Sequence, residues 1–164
     1  MAAKNSLEHS FNKHDHSQCV DQVMDAADSY CAANGLRFTP VRRKVLELLL
    51  EEHRALGAYK VMELLGDAGF GTQPPVAYRA LDFLVEHGFA HKIERLNAFV
   101  ACVHPGEKYS PIFMICRSCQ SVAEVHASLE SGILSEAARA NNFLIDKVTM
   151  EAEGICPSCK DRAE

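Results

Sequence analysis

At 164 residues, 48% of them hydrophobic and 24% charged, the chain has room for one medium domain or two small ones and the balance of an ordinary folded protein. No apolar run approaches the roughly 20 residues of a membrane span, and the polar stretch Met1–Ser17 lacks the apolar centre of a secretory signal, so a cytoplasmic protein is expected. The net charge of −5 argues against a broadly basic surface. Arg37, Arg42, Arg43 and Lys44 nevertheless fall within eight residues, a local patch that phosphate would favour.

Residues 1–17, with His9, His14 and His16, read as a disordered tail. From Val20 to Ala33 the apolar residues recur at helical spacing, with Cys31 on the apolar stripe, and Asn34-Gly35 ends the helix. Thr39 is placed to cap the next helix and Pro40 suits its first position. Val41, Val45, Leu46, Leu48, Leu49 and Leu50 supply its buried face, which leaves Arg42 and Arg43 near an end where backbone N–H groups favour an anion. A short helix is expected over Ala58–Asp67, its apolar positions Tyr59, Val61, Met62, Leu64 and Leu65. The glycines after it form a turn, not a phosphate loop, since no strand precedes them and no Gly-Lys-Ser/Thr follows.

The fourth helix runs from Pro74-Pro75 towards Gly88, with Val76, Ala80, Leu81, Leu84 and Val85 on its core face. Tyr78, Arg79, Asp82 and Glu86 line the other side. A Tyr-Arg pair in the first turns suits a major groove, because Arg bonds two acceptors on guanine and Tyr offers a ring and a hydroxyl. Alone, such a pair is ordinary surface. His53 and His87 need no metal, and His87 sits where a helix C-terminus favours a cation.

After Gly88 the pattern changes to period two. Phe89–Ile93 and Ala98–Cys102 read as strands around a turn centred on Leu96-Asn97, completing a winged helix-turn-helix. That turn would set His91 directly opposite Cys102, close enough for both to ligate one metal. His104, Glu124 or His126 are candidates for the remaining positions, and the thiolate disfavours magnesium or manganese.

Pro105-Gly106 marks a break. Beyond it Ile112–Ile115 and Ser121–His126 read as strands, Leu129–Asn141 as a helix and Phe143–Ala152 as a strand with Phe143, Ile145 and Val148 apolar. The fold class is thus α+β: a tail over 1–17, a winged-helix domain over 18–103, a hinge over 104–110 and a small α/β dimerisation domain over 111–164. The last has little core, so a metal and a second copy are expected to stabilise it.

Seven cysteines, an odd number without an export signal, argue against a disulfide framework. Cys116-Arg-Ser-Cys119 and Cys156-Pro-Ser-Cys159 make a four-sulfur set suited to a closed structural zinc site, the two turns being brought together by the intervening helix. A redox dithiol would follow a strand and open a helix, and neither pair reads that way.

These stretches together carry a resemblance. Arg37-Phe-Thr-Pro-Val-Arg-Arg, Pro74-Pro-Val-Ala-Tyr-Arg-Ala-Leu-Asp-Phe-Leu, Glu86-His-Gly-Phe-Ala-His-Lys-Ile-Glu and the two C-x-x-C pairs resemble the ferric uptake regulator superfamily over about residues 20–160, and most of all its zinc-responsive branch. The resemblance implies a homodimer that represses zinc-uptake genes by binding an A·T-rich inverted-repeat operator in double-stranded DNA when a zinc site at the domain junction is loaded. It implies two zinc ions per subunit: a structural one on Cys116, Cys119, Cys156 and Cys159, and a regulatory one on His91, Cys102 and Glu124. Tyr78 and Arg79 correspond to the base-reading pair; Arg37, Arg42 and Arg43, from the basic cluster, are expected as further DNA contacts.

Two departures stand out. Relatives place a fourth regulatory ligand, a histidine, where this chain has Tyr109, a poor zinc ligand near neutral pH; His104 or water would take its place. Val76-Ala77 stands where relatives often carry Thr-Val, removing a hydroxyl that could meet a phosphate. A same-fold sensor of iron, manganese or peroxide is the alternative. No catalytic residue, small-molecule substrate or membrane association is expected: H-E-x-x-H and the H-x-E with P-C-x-x-C pattern of zinc hydrolases are both absent from the sequence.

Overall fold

The computed structural model describes residues 17–51, 54–102, 105, 110–127, 132–146 and 148–162, with backbone only at 17–19, 126 and 127. His9, His14, His16, His53, His104, Tyr109, the side chain of His126 and the expected helix start at Leu129 lie outside what is described. The chain divides into two compact units, with the boundary between residues 107 and 108. No helix among the described residues is long and apolar enough to cross a membrane.

The N-terminal unit comprises α1 (Ser17–Ala33), α2 (Pro40–Glu51), β1 (Leu56–Gly57), α3 (Ala58–Asp67), α4 (Pro74–Glu86), β2 (Ala90–Ile93) and β3 (Ala98–Ala101). The helix starts and stops follow local chemistry. Thr39 Oγ1 accepts from the Arg42 backbone N–H at 3.4 Å, capping α2 ahead of Pro40. Gly35 and Gly88 take φ of +66° and +75° beyond the ends of α1 and α4, a left-handed conformation that side chains resist. The core joins Ala27 and Cys31 of α1, Val45, Leu46 and Leu49 of α2, Val61 and Leu65 of α3, and Leu81 and Leu84 of α4.

Three details differ from the sequence reading. Tyr59, expected on the apolar stripe of α3, is 78% exposed, because the buried stripe is Ala58, Val61, Met62 and Leu65. On α4 it is Ala77 and Phe83 that are buried with Ala80, Leu81 and Leu84, whereas Val76 and Val85 are only half-buried. The wing is three-stranded, in the order β1-β3-β2, since Leu56 and Gly57 pair with Phe99 and Ala98. A two-residue strand has no period from which it could be foreseen.

The C-terminal unit comprises β4 (Ser110–Cys116), β5 (Val122–Ala127), α5 (Ile133–Ala140), β6 (Met150–Gly154) and α6 (Pro157–Lys160). Its sheet runs β5-β4-β6, antiparallel on one side of β4 and parallel on the other. The expected strand from Phe143 is shorter: it starts at Met150, and Phe143 and Leu144 are 68% and 83% exposed. Asn142, at φ +50°, turns the chain after α5, and the Phe143 N–H returns to the Ala138 carbonyl, so this stretch closes the helix instead of joining the sheet. No residue of α5 is buried, and Ile133 is 88% exposed.

Leu46 is fully enclosed where α2 packs in the core. Leu46→Ala is expected to cost about 2–5 kcal/mol and lower the unfolding midpoint of the N-terminal unit in urea, with bound zinc per chain unchanged.

Candidate metal centres and nucleic-acid interface

Cys116 ends β4, and Cys119 lies in the turn that leads to β5. The turn is closed by Gln120 N–H to the Cys116 carbonyl and by Cys116 N–H to the Ser121 carbonyl, with Gln120 at φ +60°. The second pair follows β6. Parallel pairing sets Cys116 against Gly154, and the Arg117 N–H bonds the Gly154 carbonyl, so Cys156 arrives beside Cys116. The sheet, rather than the intervening helix, therefore brings the two turns together.

All four sulfurs lie within 4.8 Å of one another. A tetrahedral zinc with Zn–S bonds of about 2.3 Å spaces its sulfurs about 3.8 Å apart, and Cys119 and Cys156 stand 3.7 Å apart. Cys116 and Cys156 are buried, and Cys119 and Cys159 half-buried. The donor set fits a closed structural zinc site. The second pair does follow a strand and open a short helix, with Cys156 at the N-cap of α6, which the sequence reading did not anticipate. Four converging sulfurs still distinguish the arrangement from a two-sulfur redox centre.

Backbone N–H groups favour the thiolate of Cys116. N–H groups of Cys119 and Cys156, with a smaller contribution from Ser118, pull the Cys116 thiol down to about 6. The Ser121 side chain bonds the Cys119 sulfur and lowers its pKa. The Ser118 hydroxyl favours the Cys159 thiolate, but the neighbouring Cys119 and Cys156 outweigh it and push that thiol up to about 11. Ser118 and Ser121 escaped the sequence reading, although both lie within two residues of Cys119.

The wing carries His91 on β2 and Cys102 just past β3. The turn spans Glu94–Asn97, closed by Asn97 N–H to the Glu94 carbonyl with Asn97 at φ +45°, so its centre lies one residue earlier than expected. His91 consequently pairs with Val100, and the Cys102 N–H reaches the Phe89 carbonyl. His91 and Cys102 are diagonal neighbours, not opposite ones. A shift of two residues preserves the face, and ligand atoms of the two still lie within 4.8 Å. Cys102 is 2% exposed and His91 half-buried. In the other unit Glu124 is half-buried on β5, paired across the sheet with Phe113.

The outer side of α4 presents Tyr78, Arg79, Asp82 and Glu86, all exposed. Arg37 is exposed in the loop before α2. Arg42 and Arg43 are engaged within the protein: Arg42 lies over the Phe83 ring and donates to the Arg37 carbonyl, and Arg43 pairs with Asp28. Tyr59, at the start of α3, adds an exposed ring that the apolar pattern had assigned to the core.

Residues 33–153 match the ferric uptake regulator family. The chain is 34% identical to the zinc uptake regulation protein of Escherichia coli (strain K12) over 141 residues, 85% of this chain and 82% of that one. It is similar in structure to a zinc uptake regulator complexed with zinc and DNA, at 33% identity and a TM-score of 0.81, covering 88% of this chain and 97% of that one. Holo XcZur matches at 37% identity and a TM-score of 0.74, covering 86% and 99%.

Zinc ligation needs all four sulfurs ionised, so binding displaces the protons that remain, the Cys159 proton among them. Apparent zinc affinity is expected to rise about tenfold or more per pH unit near neutrality, as read by competition with a chromophoric chelator at two pH values. Cys156→Ser is expected to remove about one zinc per chain and to destabilise the C-terminal unit, measured by metal analysis and calorimetry.

Proposed function

This chain belongs to the ferric uptake regulator family, and from that premise we propose that it is a cytoplasmic, zinc-responsive transcriptional repressor, not an enzyme, that binds an A·T-rich inverted-repeat operator as a homodimer. The observation that carries the reading is the exposed Tyr78-Arg79 pair on the second helix of the helix-turn-helix, in a chain whose C-terminal unit gathers four cysteine sulfurs. Arg79 suits the O6 and N7 acceptors of guanine in the major groove, and Tyr59 and Arg37 extend the same role to bases or phosphate. On this reading α3 crosses the backbone and α4 enters the groove.

Two zinc ions serve each subunit. Cys116, Cys119, Cys156 and Cys159 hold the structural one, which supplies cohesion to a unit with little core. His91, Cys102 and Glu124 are the ligands we assign to the regulatory one, with His104 or water in fourth place because Tyr109 replaces a histidine. The buried Cys102 thiol beside His91 supports zinc over iron or manganese. Zinc loading of this set would promote operator binding. Support for the dimer comes from the apolar side chains Ile133, Phe143 and Leu144 left exposed on the C-terminal unit, and from an apolar groove of about 580 Å³ lined by Leu134, Ala137, Phe143 and Val148.

The test is fluorescence anisotropy of a duplex from the promoter of a zinc-import gene in the source genome, at fixed salt and buffered free metal. Wild-type protein is expected to bind it at least about 100-fold more tightly with zinc than without, a coupling of roughly 3 kcal/mol. Cys102→Ser is expected to lose that response while keeping the structural zinc. A response to iron(II) or manganese(II) instead would keep the fold and replace the signal.

A further inference from the structure

Arg42 and Arg43 open α2 beside the reading helix, and their sequence setting suggests phosphate contacts. Their surroundings suggest something else. The Arg42 guanidinium carbon lies 3.6 Å from the centroid of the Phe83 ring, and Nη1 donates to the Arg37 carbonyl in the loop before α2. Phe83 is 7% exposed, one turn after Arg79 on α4. Its ring also meets His87 at 4.5 Å between centroids; His87 in turn lies 6.0 Å from Tyr30, and Tyr30 meets Phe89 edge-on at 5.4 Å. Arg43 points the other way, paired with Asp28 of α1 and 5.1 Å from the Phe38 ring.

We propose that Arg42 is a positioning residue for DNA reading: its cation–π contact with Phe83 and its bond to the Arg37 carbonyl clamp α4 to the start of α2 and so set the angle at which Tyr78 and Arg79 meet the groove. A guanidinium held over a ring, with one N–H committed to a carbonyl, has fewer free donors with which to grip a phosphate. Phe83 and Arg79 lie one turn apart on one helix, so a small rotation of α4 displaces the reading side chains with it. In its adjacent role Arg43 holds α1 to the same corner. The inference rests on the proposed DNA binding.

Two measurements separate the ideas. The first needs no DNA. In the zinc-loaded full-length protein, ring current from Phe83 is expected to shift the Arg42 side-chain NMR signals upfield, and Phe83→Leu is expected to abolish the shift; an unshifted Arg42 overturns the clamp whatever the DNA result.

The second compares the promoter duplex with a scrambled one across salt concentrations. Arg42→Gln is expected to weaken promoter binding about tenfold and scrambled binding less than about twofold, with the salt slope unchanged. Arg42→Lys, which keeps a cation over the ring, is expected to recover part of the loss. Phe83→Leu is expected to match Arg42→Gln, and the double variant to add little. Uniform weakening on both duplexes, with the slope reduced by about 0.9, identifies Arg42 as a phosphate contact and overturns the proposal. Unchanged promoter binding also overturns it. Failure of the wild-type protein to prefer the promoter counts against the DNA-binding reading, leaving the NMR result to judge the clamp.

Discussion

Cys119 and Cys156 are 37 residues apart in the chain and 3.7 Å apart in space. The parallel pairing of β6 with β4 makes this possible, because it delivers both C-x-x-C turns to the same end of one sheet. A parallel pair requires a long crossover; here β5 runs back along β4, and the segment that contains α5 leads from the end of β5 to the start of β6. The C-terminal unit otherwise has few means of holding together: Phe113, Ile115 and Ala123 are buried, yet α5 buries nothing. On the proposed reading, four thiolates around one zinc ion would give such a unit cohesion that its apolar area does not.

The N-terminal unit works differently. Its helices bury a conventional apolar core, and α4 divides its surface between two tasks. Ala77, Ala80, Leu81, Phe83 and Leu84 face inward, and this leaves Tyr78, Arg79, Asp82 and Glu86 outward. Prolines at the first positions of α4 and the left-handed Gly88 after its end confine it between two fixed points. The arginines at the start of α2 then bind this helix and α1 to the same loop. Of the charges that look like a DNA-facing patch in the sequence, Arg42 meets Phe83 of α4 and Arg43 meets Asp28 of α1, while Arg37 stays exposed.

His91 and Cys102 show how a wrong register can still leave two residues on one face. A four-residue turn ending in left-handed Asn97 moved the strand alignment by two residues. Since side chains alternate with period two, both residues stayed on one face. A slip of one would have separated them.

The sequence by itself determined the order of helices and wing, the apolar stripe of α2, the caps at Thr39 and Gly88, and the grouping of four cysteines into two turns. These are local properties, set by periodicity and by residues with few backbone options. Only the tertiary structure decided the rest. The exposure of Tyr59, the burial of Phe83, the brief strand at Leu56–Gly57 and the early end of the apolar run at Phe143 depend on neighbours distant in sequence. So does the engagement of Arg42 and Arg43, because a guanidinium can face water, phosphate or a ring, and the choice is made by which helix packs beside it.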